Sequence, residues 1–338
     1  MEHSVPAWQS WHVLRGLLLA PLMLVCGCAV FLGPGRAALR STEPNLVTAS
    51  PDGTRIAWVD GLDSQVWVAN DDGTGLHAVG AAFAQGVDQL TWTRFGLIVD
   101  SNYTLTLLTQ AGKRVTIGAV GDGHFSVGGA HAASGKIGCE YCRGPVSVYN
   151  IRTHTVVRLG DPKQENGEAA LSPDGRQVAY FGPHGLVLQS ASGGRAKPMH
   201  GGTCNISWSP DGKTLAFGST GIAIEPATGG PLETLIPTSH GFACTSNVPA
   251  WSPDSTEIAF ERLSSGSGAS QPLGRLAVVD VATHALRLTA KSLGSVASYA
   301  WAPDGNSLFA TVFDGDCGTV WHLDAATLAG SAVYRGCA

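Results

Sequence analysis

The sequence predicts an all-β fold, a β-propeller of four-stranded blades, and three observations carry that prediction. A short motif recurs five times along the 338 residues. The chemistry of that motif is a tight turn between two strands. The composition, 44% hydrophobic and 14% charged with 44 Gly and 18 Pro, is too apolar for disorder and too rich in turn formers for a helical protein.

The repeat comes first, because self-similarity at a fixed spacing defines the architecture. Ala49-Ser50-Pro51-Asp52-Gly53 is followed by Arg55-Ile56-Ala57-Trp58, and Leu171-Ser172-Pro173-Asp174-Gly175 by Gln177-Val178-Ala179-Tyr180. Trp208-Ser209-Pro210-Asp211-Gly212, Trp251-Ser252-Pro253-Asp254 and Trp301-Ala302-Pro303-Asp304-Gly305 each lead into a similar apolar run. In such a turn proline pre-sets φ, Asp bonds back to the local backbone, and Gly takes the left-handed position. Further on in each unit come a third strand, an Asp/Gly turn and a fourth strand, as in Leu276–Asp280 followed by Leu286–Leu288. Four short antiparallel strands per unit make one blade.

Spacing predicts the number of blades. The motif prolines stand at 51, 173, 210, 253 and 303, in steps of 122, 37, 43 and 50. The long first step holds about three units, so two worn ones are expected inside it. Leu90-Thr91-Trp92-Thr93-Arg94-Phe95-Gly96 keeps the Trp and the turn Gly, and Ser134-Gly135-Lys136-Ile137 keeps the turn and the strand after it. Seven blades are therefore favoured over residues 45–338, with six the alternative if the unit near Gly135 is an insertion. The last unit supplies all four of its own strands, so closure is not expected to borrow one from the N-terminus. Trp208, Trp251 and Trp301 occupy matching points just before the turns, where blades pack on one another, and read as core rather than as a stacking platform.

The repeat resembles the TolB-like, WD-repeat-like family of S-P-D-G propellers, over about residues 45–338. The resemblance implies a propeller and, by analogy, a protein-interaction module of the cell envelope. It does not fix a function, since propellers also host lyases and accompany peptidases. A peptidase would need a G-x-S-x-G elbow, and the sequence has none. Gly212-Lys213-Thr214 ends like a phosphate-binding loop, but Ser207 stands where the first Gly is required. No catalytic residue, metal-ligand set or cofactor is expected.

Ahead of the repeats lie an N-terminal flank (1–15), an apolar segment (16–33) and a linker (34–44). Gly16 to Leu32 carries no charge, and the leading expectation is a membrane anchor helix. A cleaved signal peptide is the first alternative. A lipoprotein signal acylated at Cys28 is the second. The net charge of −5, without basic runs, argues against a nucleic-acid partner.

Six cysteines fall in the repeats, and blade topology puts all of them on the face that carries the D–A loops and the B–C turns. The pairs expected are Cys139 with Cys142, Cys204 with Cys244, and Cys317 with Cys337. An even set of this kind points to an oxidising compartment, and so to an extracytoplasmic propeller. Free thiols and metal or redox chemistry at Cys139-Glu140-Tyr141-Cys142 are the alternatives, although zinc would want a second pair and none exists. His124, His184, His200 and His240 share that face and are the candidate binding residues. Without a spacing pattern among them, ordinary polar loops are the favoured account of these histidines. Ser264–Ser270, in the sixth blade's B–C loop, is expected to be the face's most mobile stretch.

The reading is thus a membrane-tethered, non-enzymatic propeller that binds a protein or peptide, with a small-molecule or metal-dependent enzyme as the alternative. Maleimide labelling of the intact protein taken from cells is expected to reach the six repeat cysteines only after reduction. Full labelling without reductant would remove the main support for an extracytoplasmic location.

Overall fold

The computed structural model describes residues 44–337 apart from 103, 120–124, 127–135, 140–144, 151–152, 154, 161–167, 202–204, 219–220, 238–247, 264–273 and 315–316. The expected apolar helix of 16–33, Cys28 and the Ser264–Ser270 stretch lie outside the described residues. Strands make up nearly all the described structure, with one 3-10 turn at Lys291–Leu293 and no helix long and apolar enough to cross a membrane.

The described residues form seven four-stranded antiparallel sheets, each with its strands in sequence order. They span 44–78, 89–119, 125–159, 169–198, 207–236, 250–288 and 295–337, and their strands are called A to D below. In the third sheet, strands A and B are described by their backbone alone. The A strands of the first and second sheets approach one another, as do those of the third through seventh in turn, and that of the first also meets that of the last, so the sheets are arranged as a propeller around them. The last sheet takes all four strands from the C-terminal end, as expected.

Strand B shows why the sequence runs apolar without alternation. Ile56-Ala57, Leu215-Ala216, Ile258-Ala259 and Leu308 are fully buried. A sheet covered on both faces by neighbouring sheets buries both sets of side chains, as parallel sheets do for the same reason. The inter-sheet clusters follow: Val47, Ile56 and Trp58 of the first sheet pack with Phe309 and Val320 of the last.

The Ser-Pro-Asp-Gly motif folds as a small hydrogen-bonded knot. The Ser hydroxyl donates to the Asp carboxylate at 2.6 Å in four sheets, at Ser50–Asp52, Ser172–Asp174, Ser209–Asp211 and Ser252–Asp254. The same hydroxyl accepts the N–H that opens strand B at 2.9 Å, from Arg55, Gln177, Thr214 or Glu257. The carboxylate takes the N–H two residues on, for example from Thr54 at 3.1 Å. Left-handed φ values of +73°, +66°, +71° and +74° at Gly53, Gly175, Gly212 and Gly305 explain the turn glycine. The sixth sheet has Ser255 there at φ +66°, and its hydroxyl accepts the N–H of Asp211 in the preceding sheet at 3.2 Å.

The turns also touch from sheet to sheet. A Cβ on Gly53 would lie 3.6 Å from Pro303 of the last sheet, and one on Gly305 would lie 3.7 Å from Pro253 of the sixth. Indole N–H groups add a second link: Trp208 donates to the Ala170 carbonyl and Trp301 to the Ala250 carbonyl, each at 2.9 Å. Trp208, Trp251 and Trp301 are all buried, in keeping with a core role. At the closure, the Val47 N–H donates to the Ser298 hydroxyl at 2.9 Å.

These bonds hold the turn carboxylates below their ordinary range. The Ser50 hydroxyl is the main cause at Asp52, brought down to about 2, and the Ser252 hydroxyl is the main cause at Asp254. A carboxyl that is a stronger acid when folded adds stability that is complete above the unfolded value of about 3.9. That contribution fades as pH falls toward 2. Asp254→Ala is therefore expected to cost about 1 kcal/mol at pH 7 and less at pH 3. Urea unfolding at the two pH values measures this, and an equal cost at both would contradict it.

Candidate functional site

Strand direction sorts the loops onto two faces. The A–B turns and C–D turns share one, and the B–C turns and D–A loops share the other. On the turn face, the motif carboxylates Asp52, Asp174, Asp211, Asp254 and Asp304 are bonded within their own turns. A cavity of about 570 Å³ opens there between the last and first sheets, lined by Asp52, Asp71, Asp304, Asp324 and His322 among others. Asp304 accepts the Asn306 N–H at 2.9 Å, and Asp324 accepts the Thr327 N–H and hydroxyl at 2.9 and 2.7 Å. His322 stacks on Phe309 with ring centroids 4.7 Å apart. Among the described residues no group of three His, Cys, Asp or Glu side chains is placed to hold a metal ion.

The loop face carries the residues the sequence singled out. Cys317 opens strand C of the last sheet and Cys337 ends strand D. They are direct register partners and are joined by a disulfide, with Cα atoms 4.0 Å apart. Cys142, Cys204, Cys244, His124 and His240 lie outside the described residues, and Cys139 is described by its backbone alone, at the end of strand B of the third sheet. His184 sits exposed in the Pro183-His184 turn between strands Gln177–Gly182 and Gly185–Ser190. His200 follows strand D of the fourth sheet, in the loop leading to the fifth.

Of the two described candidate histidines, His200 is tied to a buried acid. Glu225, on strand C of the fifth sheet (Ile222–Pro226), has no solvent exposure, whereas the His200 side chain is 71% exposed. The Glu225 carboxylate accepts the His200 N–H at 3.1 Å on both oxygens and the Gly201 N–H at 2.8 Å. Its Oε1 also lies 3.0 Å from His200 Nδ1. A buried carboxylate is costly unless its oxygens are filled, and here backbone and imidazole N–H groups fill them. The other end of the loop is held alike: the Asn205 N–H donates to the carboxylate of Glu168, itself only 7% exposed.

Sequence reasoning missed Glu225, because the signal emerges only once the strand register is known. The residue facing the second position of strand B is Ala69 in the first sheet, Val279 in the sixth and Leu323 in the seventh. In the fifth it is Glu225, opposite Leu215. A fully buried acid, where the first, sixth and seventh sheets carry an apolar residue and the fourth a half-buried Gln189, departs from the local rule, and such departures gather at functional sites.

No protein-family model matches the chain, and neither does any curated protein. Solved structures do match. Oligogalacturonate lyase from Vibrio parahaemolyticus aligns with a TM-score of 0.64 at 12% identity, over 84% of this chain and 90% of that one. The β-propeller domain of Cps50 (Swd1) from Myceliophteria thermophila aligns with a TM-score of 0.60 at 13% identity, over 84% and 98%. TolB from Acinetobacter baumannii aligns with a TM-score of 0.49 at 16% identity, over 72% of this chain and 62% of that one, so the chain spans under two thirds of that structure. The fold is a β-propeller, as the repeat implied, and it shares that fold with the two structures aligned at TM-scores of 0.60 and 0.64.

Gly201 tests how tightly this corner is built. A Cβ there would stand 2.5 Å from the Phe217 ring and 3.1 Å from the Glu225 carboxylate. Gly201→Ala is expected to destabilise the protein by about 1–3 kcal/mol, as overpacking does. Denaturant unfolding reads it, and an unchanged midpoint would show that the corner is loose.

Proposed function

We propose that the chain is a non-enzymatic, extracytoplasmic propeller of seven blades, held at the membrane through residues 16–33, that binds a protein or peptide on its loop face. The observation that carries this reading is the contrast between the two faces. On the turn face the same internally bonded knot recurs in four of the sheets, whereas the described residues of the loop face, such as His184, His200 and Cys317, differ from sheet to sheet. A surface that repeats for structural reasons suits scaffolding, and one that varies on a rigid scaffold suits recognition. The Cys317–Cys337 disulfide supports an oxidising compartment. The uncharged run from Gly16 to Leu32 supports the tether.

The second reading is a small-molecule or metal-dependent enzyme with its site at the channel mouth. The His200–Glu225 contact favours it, since an imidazole oriented by a carboxylate is a common acid–base device. The likeness to oligogalacturonate lyase, at 12% identity, bears on fold alone.

Cross-linking in intact cells, followed by purification of the tethered protein, separates the two. The interaction reading expects one reproducible protein partner, whose cross-links map to the B–C turns and D–A loops. No reproducible partner, together with one tightly held metal ion per chain, would overturn it in favour of the enzyme.

A further inference from the structure

We infer that His200 is a contact residue of the loop face, fixed as its Nδ1–H tautomer by the buried Glu225 so that Nε2 is presented as an acceptor to an N–H or O–H donor of the partner. The inference rests on the proposed binding of a protein or peptide by this face. It adds the atom through which that binding is made.

The argument runs from the carboxylate outward. Glu225 lies on a strand between two packed sheets, and both its oxygens already accept backbone N–H groups at 2.8–3.1 Å. Oε1 is also 3.0 Å from Nδ1 of His200, and a carboxylate accepts hydrogen bonds, so Nδ1 carries the hydrogen. In the neutral ring the lone pair then lies on Nε2, because the partner of one ring nitrogen decides the state of the other. The Nε2 edge meets no described residue, and the side chain is 71% exposed. The ring is also aimed: the backbone N–H groups of His200 and Gly201 are bound to the same carboxylate, and Gly201 packs so closely that a Cβ there would stand 2.5 Å from the Phe217 ring. His184 is exposed on the same face, and among the described residues no hydrogen bond ties its ring to an acid.

At the equivalent position other blades carry Ala69, Val279 and Leu323, and the fourth carries a neutral Gln189, so a blade does not by itself require an acid there. What the acid adds is a chosen tautomer and a fixed ring on an accessible surface, and those two properties serve recognition.

Glu225→Gln makes the test sharp. The amide oxygen still accepts the two backbone N–H groups, while the amide NH₂ faces Nδ1 and donates to it, which moves the ring hydrogen to Nε2. Ring ¹⁵N shifts should report the Nδ1–H tautomer at His200 in the native protein and the Nε2–H tautomer in Glu225→Gln. Diethyl pyrocarbonate, which acylates an unprotonated ring nitrogen, should modify His200 about tenfold more slowly in Glu225→Gln, the factor that one hydrogen bond is worth. An Nε2–H tautomer in the native protein, or equal acylation rates in two folded proteins, would overturn the inference.

Capture of the cross-linked partner supplies the binding arm. A Gln side chain places its amide near the position of Nε2, and an Asn side chain places it near that of Nδ1. His200→Gln should therefore retain capture, whereas His200→Asn and Glu225→Gln should lose it about tenfold. Undiminished capture in all three variants would sink the role of His200 and leave loop-face binding intact. A native protein that captures nothing would bring down both.

Discussion

Each of four turns in this protein closes on one short hydrogen bond, the 2.6 Å contact between a Ser hydroxyl and the Asp two residues later. The hydroxyl reaches forward to start strand B, and the carboxylate gathers the N–H groups that the turn leaves over. Proline and glycine then place the turn against its neighbour, as Gly53 does on Pro303 and Gly305 on Pro253. The local motif and the ring are thus one construction. A sheet with two apolar faces is stable only between two others, and the turn sets the spacing at which it meets them.

The last sheet shows how far the knot can be simplified. Ala302 replaces the serine, and Asp304 binds the Asn306 N–H without a hydroxyl beside it. This blade instead has the longest ladders, with strands B, C and D of eight residues each, and its C and D strands are joined by Cys317–Cys337. It also meets the first sheet through the Trp58–Tyr334 ring pair, 5.0 Å apart, and through the Ser298 hydroxyl. No strand is shared across this closure, so side chains and hydrogen bonds hold it.

Much of this was legible in the sequence, because turn chemistry is local. Pro51, Pro173, Pro210, Pro253 and Pro303 marked five turns, and the worn units near Gly96 and Gly135 were found by spacing. Trp208 and Trp301 read correctly as core, but their indole bonds to Ala170 and Ala250 depend on the neighbouring blade and left no local mark. Glu225 was hidden for a similar reason. Ile222-Ala223-Ile224-Glu225-Pro226 looks like a strand ending in a solvated acid, and only the register against Leu215 and the approach of Gly201 show it buried. His200 was picked out by type and face, while the contact that sets it apart lies between two sheets.

The loop face therefore differs from the turn face in what its buried polar groups hold. On the turn face the motif carboxylates hold their own turns, and between the fourth and fifth sheets Glu225 holds a loop that belongs to another sheet. Amide hydrogen exchange at Gly201 tests this most directly. The account predicts that this surface-loop amide is protected as strongly as the core strand Thr214–Phe217, because its hydrogen is bonded to a carboxylate without solvent exposure. Exchange as fast as that of the exposed His184 turn would contradict it.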